Sequence, residues 1–261
     1  EGLDGREGNA KPFIKAPLPE QEAEMAKLEA EIAEIRAAMN APMPGIDAAQ
    51  AAWEGGGGDR LRSRWEAVVP LELTAKEGTT LTRQDDGSIL ASGDNPEKEV
   101  YELTFETDAV GIAAFRLEAL TDESVGGAPG RAENGNFVMT EFEVEVAPKD
   151  SPEQFEAAKF GFARADFEQE NYGIAQAIDG HISTGWAVQG NERHENSTAI
   201  FALENPVGYA NGSVVRVRLR HQSRSAHHNM ARFRVAMSTD ETLTPARIRF
   251  PCQHFTIDFH R

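Results

Sequence analysis

Cysteine is almost missing from this chain: Cys252 is the only one. That excludes an intrachain disulfide framework, a CxxCH haem attachment and any cysteine-rich zinc site. Long apolar runs are missing too, since no stretch approaches the roughly 18 residues that a membrane span needs. Basic residues are scarce, with 26 Lys and Arg against 43 Asp and Glu and a formal net charge of -17. Phosphate backbones and anionic lipid heads repel such a chain as a whole, so nucleic acid is not an expected partner. The chain opens on Glu1 with neither Met nor a leader and reads as a segment from within a larger protein. Catalytic signatures are also wanting. There is no Gly-x-Ser-x-Gly elbow, no His-Glu-x-x-His helix, and Gly126-Gly127-Ala128-Pro129-Gly130-Arg131 lacks the Gly-Lys-Ser/Thr ending of a phosphate loop.

What remains is an ordinary globular balance, 40% hydrophobic and 26% charged, enough to build a core. Three regions are expected. Residues 1–58 hold a polar connector and a helix, residues 59–240 a β-domain, and residues 241–261 a tail of mixed character. The helix should run from Pro19, which suits a first turn, to Met39, before Pro42 and Pro44. Met25, Leu28, Ile32, Ile35 and Met39 form a heptad seam, expected to pack on its own domain or as a coiled coil with a partner helix. Ala48–Trp53 could continue helically, and Gly55–Gly58 is a break.

Past the glycines the period changes to two. Tyr101, Leu103 and Phe105 alternate with Glu102, Thr104 and Glu106; Phe142, Val144 and Val146 with Glu141, Glu143 and Glu145. Ala113–Leu120, Ala199–Leu203, Val215–Arg220 and Arg232–Met237 repeat the theme, and Asp85-Asp86-Gly87-Ser88 marks a hairpin turn. Roughly six to nine short strands without intervening helices predict a mainly β protein: an antiparallel β-sandwich of jelly-roll, galactose-binding-like type behind an N-terminal α-helix.

Two stretches bear on binding. Ala177-Ile178-Asp179-Gly180-His181-Ile182-Ser183-Thr184-Gly185-Trp186 resembles the opening of discoidin-like, galactose-binding jelly rolls, in which this segment often holds a structural calcium. Asp179 and Thr184 would then supply oxygens to a hard cation, and the competing reading is a tight turn with Trp186 plugging the core. Between Glu204 and Asp240 there is no acid, yet Arg216, Arg218, Arg220, Arg224, Arg232 and Arg234 occur with His221, His227 and His228. Either this marks a site for an anionic polysaccharide, or the strand arginines pair across strands with Glu102, Glu106, Glu141, Glu143 and Glu145; pairing is the stronger reading. Loops hold most binding sites, so the ligand candidates are Trp186, His194, Arg224, His227 and His228. Adjacent His227 and His228 without a further ligand at a recognisable spacing are a weak metal signal.

Several segments together resemble one family. They are Glu7–Ile14, Gly130-Arg131-Ala132-Glu133-Asn134-Gly135-Asn136-Phe137-Val138, Thr140–Val144, Asp179-Gly180, Gly185-Trp186, His221-Gln222 and Arg232-Phe233-Arg234. They look like the middle segment of planctomycete-type cytochrome c domain proteins, between two conserved domains of unknown function. The resemblance implies a large exported parent, a periplasmic or cell-surface location, flanking domains as partners and a link to polysaccharide use. The haem signature is absent from this chain, and the tail from Pro245, with Cys252, departs from the pattern. The expected function is a non-catalytic carbohydrate-binding or surface-attachment module. A scaffold between domains and, last, a glycoside hydrolase are the alternatives.

Overall fold

The computed structural model describes residues 18–39, Gly45, Ala48, Ala51 and residues 65–243. The connector before Leu18, the tetraglycine and the tail with Cys252 lie outside them. The chain divides into two units, Glu1–Gly58 and Asp59–Arg261.

In the first unit, helix α1 spans Pro19–Met39, with Glu20 and Glu22 in its first turn and Arg36 in its last, matching the macrodipole at both ends. The Leu18 N–H donates to Gln21 Oε1 at 3.0 Å, which satisfies one orphan donor at the helix start. Gly45, Ala48 and Ala51 are also helical. Met25, Leu28, Ile32 and Ile35 stand 47–60% exposed. Among the described residues nothing covers this seam, so the coiled-coil expectation finds no support.

The described residues of the second unit form strands, loops and three short 3-10 turns, at Glu123–Val125, Ile174–Ala177 and Glu241–Leu243. Its strands in chain order are β1 (Glu66–Ala67), β2 (Glu72–Ala75), β3 (Thr79–Arg83), β4 (Ile89–Gly93), β5 (Glu99–Thr107), β6 (Ile112–Leu120), β7 (Glu141–Pro148), β8 (Glu156–Ala157), β9 (Phe160–Ala165), β10 (Ser197–Val207), β11 (Ser213–His221) and β12 (Arg232–Ser238). One sheet runs β3-β4-β12-β6-β10-β9 with β1 beside β12, and the other runs β2-β5-β11-β7-β8. Every pair of neighbours is antiparallel. The protein is thus a mainly β antiparallel sandwich, and Asp85–Ser88 closes the β3–β4 hairpin.

The period-two residues meet between the sheets. Tyr101, Leu103 and Phe105 of β5, Phe142 and Val144 of β7, and Val215, Val217 and Leu219 of β11 face Phe115, Leu117, Phe201, Phe233 and Val235 of the larger sheet. Rings cross the interface: Phe142 stacks on Phe201 at 4.2 Å between centroids, and Tyr101 on Phe233 at 5.6 Å. Burying each such side chain stabilises the fold by about 1.5–3 kcal/mol. The alternate residues face out. Register sets Arg216, Arg218 and Arg220 directly across from Glu145, Glu143 and Glu141.

Candidate functional site

Register also decides where the loops go. His221 sits opposite Glu99, Arg220 opposite Glu141, Arg232 opposite both Leu90 and Leu120, and Ser197 opposite Ala119. The four connections 94–98, 121–140, 166–196 and 222–231 therefore gather at one end of the sandwich. Backbone bonds lock them together. The Arg131 N–H donates to Asn229 O at 2.8 Å, Val138 to His228 O at 2.9 Å, His227 to Glu97 O at 3.0 Å, and Met139 bridges Trp186.

Between three of these loops opens a cleft of about 500 Å³ lined by Asn95, Arg131, Ala132, Glu133, Asn134, Ala226, His227 and His228. Arg131 is its strut: Nη2 donates to Gly93 O at 2.7 Å, and Nη1 to Asp94 O at 2.9 Å and Thr79 Oγ1 at 3.3 Å. Asn95 is its tie, donating from Nδ2 to Arg131 O and His227 O. His227 takes a left-handed backbone at φ 65°, a conformation that costs a non-glycine residue of order 1–2 kcal/mol. Its ring Nδ1 lies 2.7 Å from Asn95 O. His228 Nδ1 lies 2.8 Å from Ala226 O. Beneath them Asn229 is fully buried and bonded to Asn95 Oδ1 and Pro96 O, while its own Oδ1 has no partner among the described residues.

The sequence candidates separate here. His227 and His228 share the cleft. Arg224 is exposed on the same loop without lining it, and His194 is exposed on the 166–196 loop beside Gly127. Trp186 must be corrected: it is fully buried, edge-on to Phe137, with Nε1 donating to Phe167 O at 2.9 Å. A Cβ on Gly185 would come 2.7 Å from Met139 O, so the chain is pressed onto the 139–140 backbone there and the indole turns inward. Trp186 is a core plug with no face for a ligand. The strand arginines are spoken for as well. Arg218 binds Glu102 at 2.7 Å and Glu145 at 3.0 Å, Arg220 binds Glu143 at 2.7 Å, and Arg234 binds Glu118 at 2.7 Å. Arg232 reaches Asp86 and Asp122. These strand arginines form a ladder of ion pairs with neighbouring carboxylates.

Asp179 and Thr184 do meet. Asp179 Oδ1 accepts from the His181 N–H at 2.8 Å, and Thr184 Oγ1 lies 2.9 Å from Asp179 Oδ2 and 2.8 Å from His181 O. Beside them is Glu141, 6% exposed, whose Oε1 is buried with no partner among the described residues. Burial first, then the Asp179 and Glu143 carboxylates, push the Glu141 carboxyl up to about 7, against the pull of the Gly180 and His181 N–H groups. Among the described residues no three His, Cys, Asp or Glu side chains cluster as metal ligands. The oxygens of Glu141, Asp179, Thr184 and His181 are nonetheless the hard donors a calcium ion prefers.

Glu141, Asn95 and Arg131 escaped the sequence reading as site residues. Glu141 is one of three alternating glutamates, but Glu143 and Glu145 pair with arginines whereas Glu141 meets the Gly180 and His181 N–H groups. Among the described residues no helix is long and apolar enough to cross a membrane. No protein-family model, no curated protein and no solved structure matches the chain.

Proposed function

We propose that the sandwich is a non-catalytic carbohydrate-binding or surface-attachment module of a larger exported protein, with its ligand seated in the loop-end cleft. One observation carries this: planar polar side chains, Asn95, Asn134, Glu133, His227 and His228, line an open cleft whose loops are bonded to each other. Planar amides, carboxylates and imidazoles hydrogen-bond sugar hydroxyls, and a prefixed cleft binds without an ordering cost. We further propose a structural calcium held by Glu141, Asp179 and Thr184, which would neutralise the crowded carboxylates and brace the 178–184 turn. The resemblance to planctomycete-type cytochrome c domain proteins supplies the periplasmic or cell-surface setting. Affinity gels and a glycan array with the full chain test the binding reading, with retention on a polysaccharide expected. Retention on none refutes it.

A second reading is favoured by the exposed seam of α1. In it the helix docks a partner helix of a flanking domain, and the chain is a scaffold. Sedimentation of the chain should show concentration-dependent association that Leu28→Glu with Ile32→Glu abolishes. A chain that stays monomeric at high concentration refutes the docking seam.

A further inference from the structure

We infer that the cleft, taken as the carbohydrate site proposed above, selects a neutral sugar that presents neighbouring hydroxyl groups and turns polyanions away. The inference comes from where the protons sit on two imidazoles. A carbonyl oxygen only accepts, so His227 Nδ1, 2.7 Å from Asn95 O, must carry hydrogen. His228 Nδ1, 2.8 Å from Ala226 O, must carry it too. In the neutral ring the other nitrogen is then a lone-pair acceptor. In that form both Nε2 atoms are acceptors, and among the described residues nothing bonds them. The His227 backbone is held in place, its N–H tied to Glu97 O and its carbonyl to Asn95 Nδ2.

The rest of the lining agrees. Glu133 is an exposed carboxylate, an acceptor when ionised. Arg131, the one fixed cation, already spends its two terminal nitrogens on Gly93 O, Asp94 O and Thr79 Oγ1. Asn134 Oδ1 accepts the Asn136 N–H, and its NH₂ is the amide's donor to the cleft. Acceptors thus outnumber free donors. A ligand rich in O–H donors satisfies such a wall, whereas sulfate or carboxylate oxygens would face lone pairs and leave both sides unpaired.

The test is retention of the full chain in gels cast with a neutral galactan or mannan, a polyuronate and a sulfated polysaccharide. The companion variants are His228→Ala and His227→Gly; glycine adopts the left-handed backbone without strain, which spares the fold. Expected is retention on a neutral polysaccharide alone, weakened roughly three- to tenfold by each variant, the worth of one neutral hydrogen bond. Stronger retention on either polyanion overturns the inference and leaves the carbohydrate reading standing. Neutral binding that ignores both variants overturns it by placing the site elsewhere. No retention on any gel removes the carbohydrate reading, and the inference falls with it.

Discussion

Replacing Glu141 by glutamine removes a charge that the fold holds at a cost. Its carboxyl ordinarily titrates at 4.5 and here is pushed up to about 7 by burial and by Asp179 and Glu143. The folded value lies above the unfolded one, so the carboxyl favours folding fully below the unfolded value, and that contribution is lost as pH rises through about 7. The gap between the two values amounts to roughly 3 kcal/mol of destabilisation once both states are ionised, near pH 8. Glutamine keeps the shape and the neutral state. Glu141→Gln should therefore be more stable than the parent by roughly 2–3 kcal/mol near pH 8 and by less than about 1 kcal/mol near pH 5. Urea unfolding at both pH values, with a chelator present, reads this directly. Taking the difference between variant and parent cancels every other titrating group that the substitution leaves alone. A difference independent of pH, or a variant less stable near pH 8, would refute the crowded carboxylate.

Calcium should substitute for that proton. At about one hundred times its dissociation constant it would stabilise the parent by roughly 2.7 kcal/mol, and Glu141→Gln or Asp179→Ala should abolish the gain in thermal unfolding. His221 acts in the opposite pH direction. Burial alone drives its imidazole from 6.5 down to about 3, and neither ring nitrogen has a partner among the described residues. Its folded value is depressed, so its stabilisation is present above 6.5 and is lost as pH falls toward about 3. His221→Leu should remove about 3 kcal/mol of the stability loss between pH 7 and pH 4, measured by urea unfolding; an unchanged acid limb counts against this. Phe201→Ala, which strips the ring stacked on Phe142, should cost about 3–5 kcal/mol, and a loss under about 1 kcal/mol would contradict the packing between the sheets.

The central strands were legible because each buries one face. Tyr101-Leu103-Phe105, Val215-Val217-Leu219 and Phe233-Val235-Met237 alternate cleanly, and the same alternation sets arginines against glutamates in the observed register. The edges were not. The two-residue strands β1 and β8 show no alternation to read, and β9, Phe160–Ala165, mixes half-buried and exposed positions without a strict period. Of the site, His227 and His228 were legible as polar residues in a loop between strong strands. Asn95 and Arg131 were not, because their roles depend on loops far apart in sequence. Trp186 misled because a short turn motif reads alike whether the indole caps a ligand or fills the core. Close approach of Gly185 to the 139–140 backbone decides between them, and that is a tertiary fact.

The tie between Asn95 and His227 spans 132 positions, and β12, the last strand among the described residues, lies between β4 and β6 in the middle of its sheet. A chain emerging from the ribosome cannot assemble this cleft until nearly all of the domain has been made. Such distant pairings place the domain among slow-folding topologies. The nascent sheet would meanwhile leave the flanks of β4 and β6 open to mispairing. A product truncated before Arg232 should be unfolded and lack the cleft.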